Sequence, residues 1–157
     1  MKQRMLRTIR NSRSGFTMVE LIVAIAVLAI LAGAALPLAR NVIKREKERE
    51  LRHALWDMRD AIDRYKDAAD RGAFRTKAGS EGYPPDLETL VKGEDSNGKK
   101  LKFLRRIPTD PMTGDKDWGM RSMQDDPDST SWGGQGVFDV YSKSQGLGMN
   151  GTKYAEW

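Results

Sequence analysis

From Phe16 to Ala39 the chain runs for 24 residues with a single charge, Glu20. As a helix rising ~1.5 Å per residue, this stretch reaches ~36 Å. A bilayer's hydrocarbon core is ~30 Å thick, so the run predicts a membrane-spanning helix. A carboxylate inside such a helix costs at least ~2.5–3.5 kcal/mol on insertion scales, which marks Glu20 as a functional residue. At the start of a helix the backbone dipole favours its negative charge. The competing explanation is a carboxylate that snorkels to the interface.

What flanks the run sets its orientation. Residues 1–15 hold Lys2, Arg4, Arg7, Arg10 and Arg13 and no acid. This bias predicts a cytoplasmic N-terminus, with the bulk of the chain on the far side. The net charge of +5 resides in this leader; the rest of the chain balances 22 basic against 22 acidic residues. A nucleic-acid role, including DNA uptake, therefore loses its main support. There is no cysteine, so disulfides and thiolate metal sites are excluded.

A cleaved secretory signal would place a small-residue site after a short apolar run, and Ala32-Gly33-Ala34 could serve. The apolar run continues past it to Leu38, however, and passes straight into a charged segment. Pro37 has no N–H, and its ring opposes the carbonyl of Gly33, so a kink or weak point is expected at Gly33 and Pro37.

Beyond the apolar run, 40–71 reads as a continuation of the helix. The run Lys44–Glu50 is wholly charged and is expected to be solvated. Leu51, Leu55, Met58, Ile62, Tyr65 and Ala69 then recur at steps of three and four, one face of a helix that should pack on a domain. Gly72 is the expected stop. The resulting helix of roughly 55 residues is far longer than the ~11–12 residues usual in globular proteins.

From Ala73 glycine, proline and aspartate become frequent, as in short elements joined by turns. A short helix is expected after Pro84-Pro85, capped near Asp86 and ending before Gly93. Residues 94–100 read as a solvated loop, Trp118–Met123 and Val137–Ser142 as strands, and 124–136 as a polar loop. Trp56 and Trp118 read as packing residues, and the terminal Trp157 as an aromatic that docks on the sheet. His53 is the only histidine, which argues against a histidine metal site or catalytic dyad. Asp125, Asp126 and Asp128 lack the spacing of a calcium-binding helix–loop–helix.

The block Gly15-Phe16-Thr17-Met18-Val19-Glu20, behind a basic leader and before an apolar helix, resembles the processing site of type IV prepilins and of the pseudopilins of type II secretion. The resemblance implies cleavage between Gly15 and Phe16 and N-methylation of Phe16 by a prepilin peptidase/methyltransferase. It also implies an assembly role for Glu20 and Phe16, the carboxylate meeting the N-terminal amine of a neighbouring subunit. The stretches "YPPDLETLV", "LRRIPTDPMTG", "DWGM" and "VFDVYSKSQG" resemble the major, G-type pseudopilins, so the likeness extends from Arg13 to Trp157.

The implied fold is α+β: a long N-terminal transmembrane and stem helix, then a small domain with a short antiparallel sheet. The implied divisions are a cleaved leader (1–15), an assembly helix (16–39), a stem helix (40–71) and a periplasmic domain (72–157). The implied function is a structural, non-enzymatic subunit of the inner membrane and periplasm. Its partners would be itself in a helical filament, minor pseudopilins and an inner-membrane assembly platform, without nucleic acid. A type IV pilus subunit and a tethered periplasmic enzyme are the alternatives. "STSWGG" lacks the G-x-S-x-G elbow that a hydrolase of that kind needs.

No cofactor is expected. G-type pseudopilins often bind calcium in the loop after an Asp-x-x-Ser strand. This chain keeps Asp139 and Ser142 but has Gln145 where an aspartate is expected, and only Asn150 and Thr152 beyond. Affinity falls as carboxylates are lost, so the 142–152 loop is expected to hold without calcium; binding through neutral oxygens is the alternative.

Overall fold

The computed structural model describes residues 15–157, except for the side chains of 34–39. Most of the leader thus lies outside the described residues. The fold is α+β, a long N-terminal helix followed by a small domain with short antiparallel strand pairs. Helix α1 spans Met18–Asp70. The chain divides into two units, Met1–Asn41 and Val42–Trp157.

In the second unit, α1 buries the face its spacing foretold. Leu51, Leu55, Met58, Ile62 and Tyr65 are buried, while Ala69 is only half-buried. Ala54, Ala61 and Ala68 are buried beside them, a column of small side chains repeating every seventh residue. Alanine there lets the rest of the domain approach the helix closely while the larger column fills the core. The helix ends in a Schellman motif: Ala73 N–H donates to Ala68 C=O (3.0 Å) and Gly72 N–H to Ala69 C=O (2.9 Å). Gly72 has φ +71°, the left-handed conformation that this stop requires.

Helix α2 (Leu87–Lys92) begins at Asp86, whose carboxylate accepts from Thr89 N–H at 2.7 Å, and stops at Gly93. Leu87 and Leu90 face the core. The Leu90 carbonyl then takes both Phe103 N–H (3.0 Å) and Leu104 N–H (2.9 Å), tying α2 to the following segment.

Between them lies a correction. Residues 94–101 are a β-hairpin, β1 (Glu94–Ser96) antiparallel to β2 (Lys99–Leu101), in place of the expected loop. Asn97 and Gly98 have φ of 50° and 79°, positive at both central positions of the turn as a type I′ hairpin requires. The strands are charged and largely exposed, which hid the alternation that normally signals a strand.

The second pair is β3 (Gly119–Arg121) antiparallel to β4 (Asp139–Tyr141), in register Gly119↔Tyr141 and Arg121↔Asp139. Both lie inside the expected strands. Gly119 is a necessity here: a Cβ would come within 2.2 Å of the Tyr141 ring. Val137, Val140, Trp118, Phe103 and Tyr154 complete the core, and Trp118 donates its indole N–H to Pro108 C=O at 2.9 Å. A short 3-10 turn at Tyr154–Glu156 closes the fold.

The charged run Lys44–Glu50 needs correcting too, because Glu48 is only 7% exposed. Its Oε1 accepts from the Met149 N–H (2.8 Å) and from the Tyr154 hydroxyl (3.0 Å), about a hundred residues away in sequence. These donors offset the desolvation of the carboxylate. Burial, and then Glu48, pushes the Tyr154 hydroxyl above the ordinary tyrosine pKa. The hydroxyl thus stays protonated and donating. Its stabilisation is complete below the ordinary value of ~10 and is lost as pH rises through the raised one. Glu48→Ala should destabilise the chain by about 2–3 kcal/mol, since two donors lose a charged acceptor. Tyr154→Phe should cost less and should flatten the alkaline limb of stability against pH. Urea unfolding of both variants from pH 7 to 11 checks this.

Candidate processing and assembly site

Gly15, Phe16 and Thr17 precede the helix in non-helical backbone. Thr17 is its N-cap: the Thr17 hydroxyl oxygen accepts from Glu20 N–H at 3.2 Å, and the Thr17 carbonyl from Leu21 N–H at 3.2 Å. Thr17 and Glu20 thus stand at the Ncap and N3 positions, the spacing of a capping box. The role of Thr17 was legible in T-x-x-E before an apolar run, a signal overshadowed by the question of the buried charge. Glu20 lies in the first turn and is exposed.

Among the described residues nothing covers this end. Phe16 is 80% exposed, and every described side chain from Met18 to Gly33 is exposed on all sides of the helix. A helix apolar all round does not stay in water; it is buried among other helices or in lipid. Among the described residues no helix is long and apolar enough to cross a membrane. The stretch with described side chains stops at Gly33, short of the ~20 residues a span needs. Ala34–Ala39, which complete the apolar run in the sequence, are described in backbone only, as helix. The helical assignment is unbroken through Gly33 and Pro37, and the Pro37 side chain lies outside the described residues. At Gly15 and Gly33 an added Cβ would meet no atom within 4 Å, so packing among the described residues demands glycine at neither position.

The other candidate residues lie in the second unit. Asp139 is half-buried and held by Arg59 Nε at 2.7 Å, with Arg121 at 3.8 Å. The Ser142 hydroxyl donates to the buried Asp110 at 2.6 Å. Asn150 Oδ1 accepts from the Thr152 N–H (3.1 Å) and hydroxyl (2.8 Å). Gly148 N–H donates to Thr152 C=O at 2.7 Å, closing the loop on itself. Gln145 points its amide nitrogen back toward Lys143 C=O at 3.5 Å.

Ca²⁺ takes six to eight oxygens, several of them carboxylate. In the 142–152 loop Asn150 Oδ1 already accepts from Thr152, the Ser142 hydroxyl is engaged by Asp110, and the Glu48 carboxylate enters from α1 to accept the Met149 N–H. Among the described residues no group of three or more His, Asp or Glu could hold a metal.

Asp125 is occupied with backbone instead, accepting from Ser122 N–H (2.7 Å) and Gly133 N–H (3.1 Å), which holds its pKa below the usual carboxylate value. His53 sits on the exposed side of α1 beside Asp57, at 3.0 Å. Trp118 is buried as expected, but Trp56 is 68% exposed and packs into no core. Trp157 docks on α1 and Tyr154 rather than on the sheet. Its ring lies 5.1 Å from that of Tyr154 and 4.4 Å from the Arg52 guanidinium, and its backbone oxygen accepts from Arg59 at 2.7 Å.

A model of the prokaryotic N-terminal methylation motif matches residues 10–36, which include Gly15, Phe16 and Glu20. Type II secretion system core protein G of Pseudomonas aeruginosa is 31% identical over 153 residues, covering 92% of this chain and 89% of that protein. The protein of the same description from Vibrio cholerae is 26% identical over 149 residues, covering 93% and 87%. No solved structure matches. With an uncovered, capped apolar helix at one end and a likeness that extends through the domain at the other, the chain belongs to the type II secretion system core protein G family.

Proposed function

We propose that this protein is the structural subunit of a type II secretion pseudopilus. It is inserted in the inner membrane with its basic leader in the cytoplasm, cut between Gly15 and Phe16, and N-methylated on Phe16. It then assembles with copies of itself into a periplasmic filament whose growth pushes exported proteins outward. Minor pseudopilins and an inner-membrane platform would be its other partners. The observation that carries this reading is the helix start: a capped terminus, one carboxylate, and apolar side chains exposed in every direction. Such a surface needs lipid before assembly and neighbouring helices after it.

Two details give the reading its chemistry. Glycine at 15 is not required by packing, so a demand for it would come from the enzyme that cuts there. Cleavage would create an amine at Phe16, four residues from Glu20. Both charges are costly in an apolar setting, and each neutralises the other when a neighbouring subunit stacks in register.

Gly15→Leu should leave full-length precursor in the membrane, while mass spectrometry of the unaltered protein should find N-methylated Phe16 first. A mature chain starting near Ala35 would mean an ordinary signal peptide. Glu20→Ala should be inserted and cleaved normally but yield filaments reduced by ~tenfold or more, the effect of losing at least ~1.4 kcal/mol per contact. Normal filament counts by electron microscopy would remove the charge-pairing role.

The 142–152 loop is proposed to hold its shape without calcium, through Glu48 and its own turns. A ligand at a hundredfold excess over Kd stabilises by about 2.7 kcal/mol. In a domain of this size that is several degrees in Tm. The full chain in detergent should therefore melt at the same temperature in EGTA and in millimolar calcium. A rise of several degrees with calcium, abolished by Asn150→Ala, would show that neutral oxygens suffice.

A further inference from the structure

Trp56 exposes 68% of its surface on α1 beside an open groove of about 320 Å³, lined also by Arg52, Leu55, Arg59, Asn150 and Trp157. The lining holds two arginines and no acidic side chain, and the Trp157 backbone oxygen accepts from Arg59. Arg59 is matched by Asp139, whereas Arg52 is exposed and has no ion-pair partner among the described residues. The groove is thus aromatic and cationic.

The complementary chemistry occurs on another loop of the same unit. Met123 is 58% exposed and is followed by Asp126 and Asp128, both exposed and without an ion-pair partner among the described residues. Outside α1, the unit's other exposed large apolar side chains lack such company. Leu101 stands among lysines, Leu147 and Met149 lie in a stretch without acids, and the acid beside Phe138 is held by Arg59. The Met123 loop is also set in place. Asp125 binds backbone at 122 and 133, Ser129 N–H donates to Asp126 C=O at 2.8 Å, and Arg121 Nε donates to Ser129 C=O at 3.0 Å.

We propose that the Trp56 groove receives the Met123–Asp128 loop of a second copy of this chain. The methionine thioether would lie on the indole, and the two aspartates would meet Arg52 at the rim. Because the groove and the loop are different patches, the contact is head-to-tail. It leaves a free groove and a free loop at each step, so it can propagate, as an open filament wherever the rotation per step does not close a ring. The proposal rests on the filament reading and adds a side-to-side contact between domains.

The full-length chain, free of native cysteine, allows a direct test. Filaments of Trp56→Cys/Met123→Cys should give a ladder of covalent multimers on oxidation, and Trp56→Cys/Lys102→Cys filaments should not. Should the cysteine variants fail to assemble, charge reversal replaces them. Arg52→Glu should cut filament yield about tenfold, and adding Asp126→Arg with Asp128→Arg should restore it. Filaments without the ladder, a ladder from the Lys102 pair instead, or a charge reversal without rescue overturns the contact while leaving the pseudopilus reading intact. No filaments from the unaltered chain would remove that reading and this contact together.

Discussion

The domain depends on one face of α1, and Arg59 fixes what sits there. Its guanidinium reaches Asp139 at 2.7 Å, Val140 C=O at 3.1 Å and the Trp157 backbone oxygen at 2.7 Å. One side chain thus ties the helix to β4 and to the final turn. The strand pairs, three residues on each side, are too short to be stable alone. The β3–β4 pair holds because Leu51, Leu55, Met58 and Ile62 provide a surface to cover and Arg59 sets where β4 lies on it. Arg121 works from the other side, stacked 4.0 Å from the Tyr141 ring and donating to Ser129 C=O.

The chain treats two glutamates in opposite ways. Glu48 is buried and has both a backbone and a hydroxyl donor, so its charge is an internal fastener. Glu20 is exposed and has no donor to its carboxylate among the described residues, on a helix end whose side chains beyond the Thr17 cap are apolar. A satisfied buried carboxylate stabilises one chain; an unsatisfied one in an apolar surface favours any arrangement that brings it a cation. That contrast supports the proposal that Glu20 acts between copies and Glu48 within one.

Much of this was legible in the residues. The three-four spacing from Leu51 to Tyr65 gave the buried face, Asp86 and Gly93 bounded α2, and the G-F-T-x-x-E block pointed to the family. What escaped has physical reasons. The Asn97-Gly98 hairpin is built from polar, largely exposed strands whose one half-buried face in β1 carries Glu94 and Ser96, so no apolar alternation announced it. Glu48 looked solvated because its partners, Met149 and Tyr154, are about a hundred residues distant and only the fold brings them near. Trp56 reads as a packing residue rather than part of a cofactor site, yet local spacing already places it off the Leu51–Leu55–Met58 face. Ala54, Ala61 and Ala68 went unremarked because small residues carry little periodic signal, although they decide how closely the domain approaches.

The separation between Glu48 and its donors also has a meaning in time. The helix face emerges from the ribosome long before Val137, Val140 and Tyr154, the residues that roof it. Until those arrive, Leu51 to Ile62 form an uncovered apolar strip, and contacts so distant in sequence form late. For that interval the nascent chain is at risk of sticking to its neighbours, and an anchored N-terminus would crowd many such chains on one surface. Synthesis of this protein therefore sets a period of exposure that only the arrival of Val137, Val140 and Tyr154 brings to an end.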